Sequence, residues 1–180
     1  ADDTTVATIK VSSDSKAVLF SGPPINKKMD KEVVHKMMGS AGKKIVCGGT
    51  TANIVARELN VGYKSSTEII DEDIPPIGYI EGIDLVTEGV LTLRKSCEIL
   101  KKLLTTNDDS FLYKKKDAAT LLSRILYEDC IHIKMIIGRC INPENLMTDI
   151  SDDLSARLYV LNEMKNVLVK LGKIVEVEYY

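Results

Sequence analysis

The stretch Lys44-Ile45-Val46-Cys47-Gly48-Gly49-Thr50-Thr51-Ala52-Asn53-Ile54-Val55 decides how the 180-residue chain is read. Its first four residues are a short apolar run rich in β-branched side chains, which suits a strand covered on both faces. Gly48 and Gly49 interrupt that run. Ile54, Val55 and Leu59 then fall at helical spacing, and Asn60 is a residue type that closes a helix.

The same alternation extends in both directions. Residues 17–20, 83–86, 132–137 and 175–179 give four more apolar runs bounded by turn residues, each predicting a buried strand. Between them lie helical stripes. Met29, Val33, Val34, Met37 and Met38 form one, closed by Gly39, and Val90, Leu93, Cys97, Leu100 and Leu104 form another. Asp117 is placed to cap a helix carrying Leu121, Leu122, Ile125 and Leu126. The longest stripe runs from Leu154 to Leu171, with Ser151 or Asp152 expected to open it and Gly172 to stop it. Strands alternating with helices predict an α/β fold, a mostly parallel, doubly wound, Rossmann-like sheet with helices on both faces. Two segments break the rhythm: residues 63–79, with Asp71-Glu72-Asp73 and Pro75-Pro76, read as an excursion carrying an edge strand at 66–70, and residues 105–110 read as a polar loop.

Charge narrows the function classes. The chain carries 24 Lys and Arg against 26 Asp and Glu, a net −2, with one short basic run at residues 114–116. A nucleic-acid binder or a protein held on anionic membranes relies on a clustered positive field, so neither partner is expected. No apolar stretch approaches a membrane span, and the first residues are unlike a signal peptide, so a cytoplasmic protein is expected. Cys47, Cys97, Cys130 and Cys140 are widely spaced, which predicts reduced thiols and no zinc site.

The glycine turn is the strongest candidate for chemistry. Two glycines let a ligand approach the backbone, and the first N–H groups of the helix behind them present the positive end of its dipole. Gly48, Gly49, Thr50, Thr51 and Asn53 are therefore candidate contacts for a small anionic ligand, although neither standard nucleotide fingerprint is met. The bland alternative is a tight turn with a threonine N-cap. Other strand ends carry Ser21-Gly22-Pro23-Pro24, Thr87-Glu88-Gly89 and Gly138-Arg139-Cys140, and in a parallel sheet all four loops share the carboxyl edge, where ligands bind. Ser21, Gly22, Glu88, Gly89 and Arg139 join the candidate list, Glu88 as an acceptor for a ribose or amine and Arg139 as a partner for phosphate or carboxylate. Each of these charges also reads as an ordinary solvated loop residue. The two histidines, the acidic run at 71–73 and the methionines of the first stripe read as surface or core residues, with no readable nucleophile pair, so no catalytic residue is predicted.

At the amino terminus, Asp2-Asp3-Thr4-Thr5-Val6-Ala7-Thr8-Ile9-Lys10-Val11 resembles the closing motif of the type 2C metal-dependent serine/threonine phosphatases, in the branch that includes the stage II sporulation protein E phosphatases. In that family the first acid of the pair ligates the catalytic manganese or magnesium, a role the resemblance assigns to Asp2. The loops at 21–24, 47–53 and 81–89 look like the extra carboxyl-terminal region that follows the phosphatase domain in some anaerobic-bacterial members. The resemblance implies that residues 1–15 are the last strand of a truncated phosphatase domain and residues 16–180 an appended α/β domain. The remaining acidic metal ligands belong upstream of Asp2, so phosphatase activity is not expected of this chain by itself. The expected function is a ligand-binding regulatory module that takes a phosphorylated or nucleotide-like small molecule and partners the phosphatase domain of the same polypeptide. A protein-interaction or homo-oligomerising module, and an independent enzyme acting on a phosphorylated substrate, are the competing readings.

Overall fold

In a computed structural model of the chain the described residues are 5, 15–66, 75–106, 108–140 and 150–180, with side chains in the last stretch from 154 onward. Of the proposed terminal strand at 2–11 only Thr5 is among them, and Asp2, the acidic run at 71–73 and most of the predicted edge strand at 66–70 lie outside.

The chain begins with β1 (Lys16–Ser21), α1 (Asp30–Gly39), β2 (Lys43–Cys47) and α2 (Gly49–Leu59). Three short strands follow, β3 (Tyr63–Ser65), β4 (Gly78–Ile80) and β5 (Leu85–Thr87), then α3 (Val90–Leu103) and α4 (Ala118–Arg124), which continues into a π-helical turn at Ile125–Asp129. The order ends with β6 (His132–Ile137), α5 (Ile150–Lys170) and β7 (Ile174–Tyr179). All seven strands join one sheet in the order β3-β4-β5-β2-β1-β6-β7. The α/β class expected from the sequence is present, but the sheet is mixed. The four pairings among β5, β2, β1, β6 and β7 are parallel, and the hairpin β3–β4 adds two antiparallel pairings at one edge.

Alternation along the strands divides the core in two. Ala17, Leu19, Ile133 and Met135 pack with Leu93, Leu100, Leu122, Leu161 and Leu168 from α3, α4 and α5. Val18, Phe20, Val46 and Ile136 pack with Val33, Val34, Met37, Ala52 and Val55 from α1 and α2. Successive strand side chains point to opposite faces, so the two helix groups lie on opposite sides of the sheet. The chain steps from β1 to β2 to β5 in one direction with α1 and α2 on one face, then returns to β6 and β7 with α3, α4 and α5 on the other. Reversing direction and face together gives every parallel crossover the same hand.

Local chemistry explains most boundaries. Asp117 is the N-cap of α4, accepting from the Thr120 N–H at 2.9 Å. Asn60 ends α2 in the left-handed conformation (φ +55°), which satisfies the last carbonyls of that helix. The Lys44 ammonium is buried against the end of α1, donating to the Ser40 and Gly42 carbonyls at 2.6 and 2.7 Å. One cap differs from expectation: α5 starts at Ile150, so Ser151 and Asp152 lie within its first turn and do not precede it. Cys47, Cys97 and Cys130 are buried, and none of the four cysteines is joined in a disulfide. No helix among the described residues is long and apolar enough to cross a membrane.

Candidate functional site

Parallel pairing brings the carboxyl ends of β5, β2, β1, β6 and β7 to one rim, with Thr87, Cys47, Ser21, Ile137 and Tyr179 in register across it. Gly22, Gly48, Glu88, Gly89 and Arg139 lie in the loops that leave this rim, Ser21 is the last residue of β1, and Gly49, Thr50, Thr51 and Asn53 lie inside α2.

At β2 the backbone reaches the conformation the glycine pair suggested. Gly48 has φ +115°, which a residue with a Cβ rarely adopts, and it stands as the N-cap of α2 with no side-chain cap. The threonine N-cap of the bland reading is therefore corrected: Thr50 and Thr51 are the second and third helical residues. Thr51 has a longer-range task. Its buried Oγ1 accepts the N–H of Gly22 at 2.9 Å, tying the loop after β1 to the first turn of α2. Thr50 is half-buried, and Asn53, one turn down the helix, is exposed.

Glu88 occupies the end of α2. A Cβ on Gly49 would lie 3.6 and 3.8 Å from its two carboxylate oxygens, so this carboxylate faces the positive end of the helix dipole. The half-buried Glu88 also acts on Tyr63 of β3: burial first, and then the Glu88 charge, raises the Tyr63 hydroxyl above its ordinary value. Gly89 is the N-cap of α3, and a Cβ there would lie 3.9 Å from the Gly48 Cα, so the two glycine turns touch. The Gly48 N–H donates to the Thr87 carbonyl at 2.9 Å, and Thr87 Oγ1 donates to the Glu88 carbonyl at 2.9 Å. Burial pushes the Cys47 thiol up to about 12, which keeps it protonated at neutral pH and unsuited to nucleophilic attack.

Between β1 and β6 the backbones of the two loops meet. Gly138 N–H donates to the Ser21 carbonyl and Cys140 N–H to the Pro23 carbonyl, both at 3.0 Å. A Cβ at Gly138 would lie 2.2 Å from the carbonyl oxygens of Gly22 and Pro23, an approach open only to glycine. The junction is covered by a residue the sequence reading did not single out. Arg157, from the second turn of α5, lays its guanidinium against Gly22 so that a Cβ there would lie 2.5 Å from Cζ, and its Nη2 donates to the Gly138 carbonyl at 3.0 Å. Ser21 is fully buried beside it, and its Oγ has no hydrogen-bond partner among the described residues. Arg139 is not brought to this junction. It is exposed, its guanidinium sits 5.6 Å from the centre of the Tyr179 ring, and its backbone N–H donates to the Tyr180 carbonyl at 2.8 Å.

A separate cavity of about 260 Å³ opens at the opposite, amino edge of the sheet, among Lys16, Ser40, His132, Lys134, Ile174 and Glu176. Among the described residues no group of three or more His, Cys, Asp and Glu is arranged to hold a metal ion. No family model, curated protein or solved structure matches the chain.

Proposed function

We propose that the chain is a ligand-binding regulatory module whose ligand, a phosphorylated or nucleotide-like small molecule, binds at the carboxyl edge of the sheet. The observation that carries this reading is the gathering of Gly48, Gly49, Glu88, Gly89, Ser21 and Gly22 on one rim, with the loops after β1, β2 and β5 tied together through Thr51 and Thr87. Rims of this kind accept ligands because backbone donors and a few fixed polar groups converge there. Glu88 suits the hydroxyl-bearing part of a nucleotide, since a carboxylate accepts two hydrogen bonds from a ribose diol. The sheet, in this reading, is doubly wound with an appended antiparallel edge. The amino-terminal resemblance makes the module's partner a type 2C phosphatase domain of the same polypeptide, in which Asp2 and a manganese or magnesium ion belong to the phosphatase, and it makes the setting cytoplasmic.

The test is calorimetric and thermal-shift titration of the chain with mono- and dinucleotides, sugar phosphates and inorganic phosphate. A ligand that binds only the folded state raises the melting temperature, and the rise keeps growing with the logarithm of ligand concentration above Kd. Binding below millimolar concentration supports the proposal, and the absence of any such binding removes it. In that event a protein-interaction or dimerisation module takes its place, a reading favoured by one observation: β7 ends the strand order, with Ile174 and Tyr179 more than half exposed.

A further inference from the structure

We infer that the outer edge of β7 is a docking site for an extended protein segment that joins the sheet as an added strand, with apolar side chains on the α5 face and a lysine or arginine opposite Glu176. This inference goes beyond the ligand-binding reading and does not depend on it.

The two ends of the sheet are built differently. β3, at one end, is three residues long and mostly exposed, and it carries Lys64. A short strand bearing a lysine is a common way to keep an edge from pairing. β7, at the other end, is six residues long, stays in register with β6 from Ile174 to Tyr179, and holds no proline, glycine or lysine. The ladder fixes which of its backbone groups are open. The Ile174 N–H donates to the Ile131 carbonyl and the Tyr180 N–H to the Ile137 carbonyl, both at 2.9 Å, and the Tyr180 carbonyl accepts from the Arg139 N–H. Even-numbered residues therefore turn to β6. The N–H and C=O groups of Val175, Val177 and Tyr179 are left on the outer side, where no described strand meets them.

The flanking side chains set the chemistry of the partner. On the α5 face Val175 and Val177 are half-buried against the same core as Leu158 and Leu171, and Tyr179 is 55% exposed. An added strand with apolar residues on that face extends this core, while its backbone satisfies the open groups. On the other face Glu178 is already held by Lys36 at 2.6 Å and Lys134 at 2.8 Å. Glu176, between Glu178 and the exposed Ile174, is itself exposed and pairs with no cation among the described residues. A lysine or arginine directly opposite supplies that charge. The same carboxylates argue against a second copy as the occupant. Antiparallel pairing about a twofold axis sets same-face residues opposite each other, so the longest overlaps put Glu176 against its own copy or against Glu178, and like charges placed so destabilise the pair.

The experiment is fluorescence polarisation of the full chain with a labelled peptide, acetyl-Ser-Val-Lys-Val-Thr-Val-Ser-amide, and with its counterpart carrying glutamate in place of lysine. The wild type is expected to bind the lysine peptide below millimolar concentration and the glutamate peptide several-fold more weakly, the gap closing as salt is raised. Glu176→Lys should reverse that preference. Methylating the valine nitrogens blocks one edge of the lysine peptide, and methylating its lysine and threonine nitrogens blocks the other. One methylated form should lose more than about tenfold in affinity and the other should keep it, because a single edge faces β7. Val177→Pro removes an outward N–H without touching the ladder to β6, and it should abolish binding, whereas Lys64→Gln at the opposite edge should change nothing. If Val177→Pro does not fold, the methylated peptides decide, since they leave the protein unaltered. Failure of the wild type to bind the lysine peptide, or equal behaviour of the two methylated forms, overturns the inference. So does a dimer in sedimentation equilibrium that Val177→Pro dissociates, since a second copy would then hold the edge.

Discussion

Replacing Thr51 by valine isolates the bond that ties the β1 loop to α2. Valine keeps the β-branched shape and fits the helix, but it cannot accept the Gly22 N–H that reaches Thr51 Oγ1 at 2.9 Å. The site is buried, Thr51 being 1% exposed and Gly22 also buried, so water does not replace the lost acceptor. A buried donor left without a partner costs about 2 kcal/mol. For a chain of this length each kcal/mol moves the melting temperature by roughly 2–4 °C, so Thr51→Val should melt about 4–8 °C below the wild type. Thr51→Ser retains the hydroxyl and should recover most of the difference. Asn53→Gln, exposed near the start of the same helix, should change stability by less than about 0.5 kcal/mol. Differential scanning calorimetry of the three variants at one protein concentration is the assay. If Thr51→Val melts within about 1 °C of the wild type, the link does not hold the loop, and a rim tied through Thr51 is wrong.

Three further outcomes are expected. Gly42→Ala should cost about 3 kcal/mol or more, because a Cβ would lie 1.9 Å from the Lys16 carbonyl oxygen on a residue at φ +86°, whereas Gly39→Ala, with nothing within 4 Å, should be neutral or slightly stabilising; urea midpoints separate the two. Hydrogen bonds from Lys134 and Lys36 hold the Glu178 carboxyl near 2, below its ordinary 4.5, so its stabilising contribution is complete above pH 4.5 and is lost as the pH falls toward 2. Urea unfolding at pH 5 and pH 3 should show that Glu178→Gln loses less stability over that interval than the wild type. Burial holds Cys130 near 11 and Cys47 near 12, so iodoacetamide at pH 8 should modify the half-buried Cys140 first in the native protein, as peptide mass spectrometry would show by order of labelling.

The elements legible in the sequence are those whose burial is continuous. His132–Ile137 was bounded correctly because an unbroken apolar run between polar residues has one favourable place, inside a sheet covered on both faces. The stripe from Val90 to Leu104 gave α3 because Leu93, Cys97 and Leu100 all turn to the sheet. The hairpin was not legible in the same way. Tyr63–Ser65 is half to fully exposed, and in Gly78–Ile80 only Ile80 is buried, so neither strand carries an alternation, and their pairing is fixed by distant partners. The loop residues of the site were found because small residues at strand ends have few other uses. The role of Thr51 was missed because its partner is 29 residues away. Arg157 was missed for a related reason: between Leu154 and Leu158 it reads as a solvated charge on the helix flank, and the carbonyls that fix it lie 17 and 19 residues earlier.

Each strand end on the rim is tied to the next by a hydrogen bond beyond the strand ladder. Gly48 N–H donates to Thr87 O, linking β2 to β5, and Gly22 N–H donates to Thr51 Oγ1, linking β1 to the helix that follows β2. Gly138 N–H donates to Ser21 O, linking β6 to β1, and Tyr180 N–H donates to Ile137 O, linking β7 to β6. Moving any one loop away from its neighbour breaks a bond worth about 1 kcal/mol, so the four loops behave as one continuous edge. The ordering cost of holding loops in a binding geometry is largely met on folding, and a ligand bound along this edge would have little further backbone entropy to remove. The same connectivity means that variants in the ties and variants in the ligand contacts separate by readout. Thr51→Val should lower the melting temperature of the unliganded chain, whereas Glu88→Gln, which gives up only the carboxylate's attraction to the end of α2, should lower it by less and should show its larger effect in the response to nucleotides.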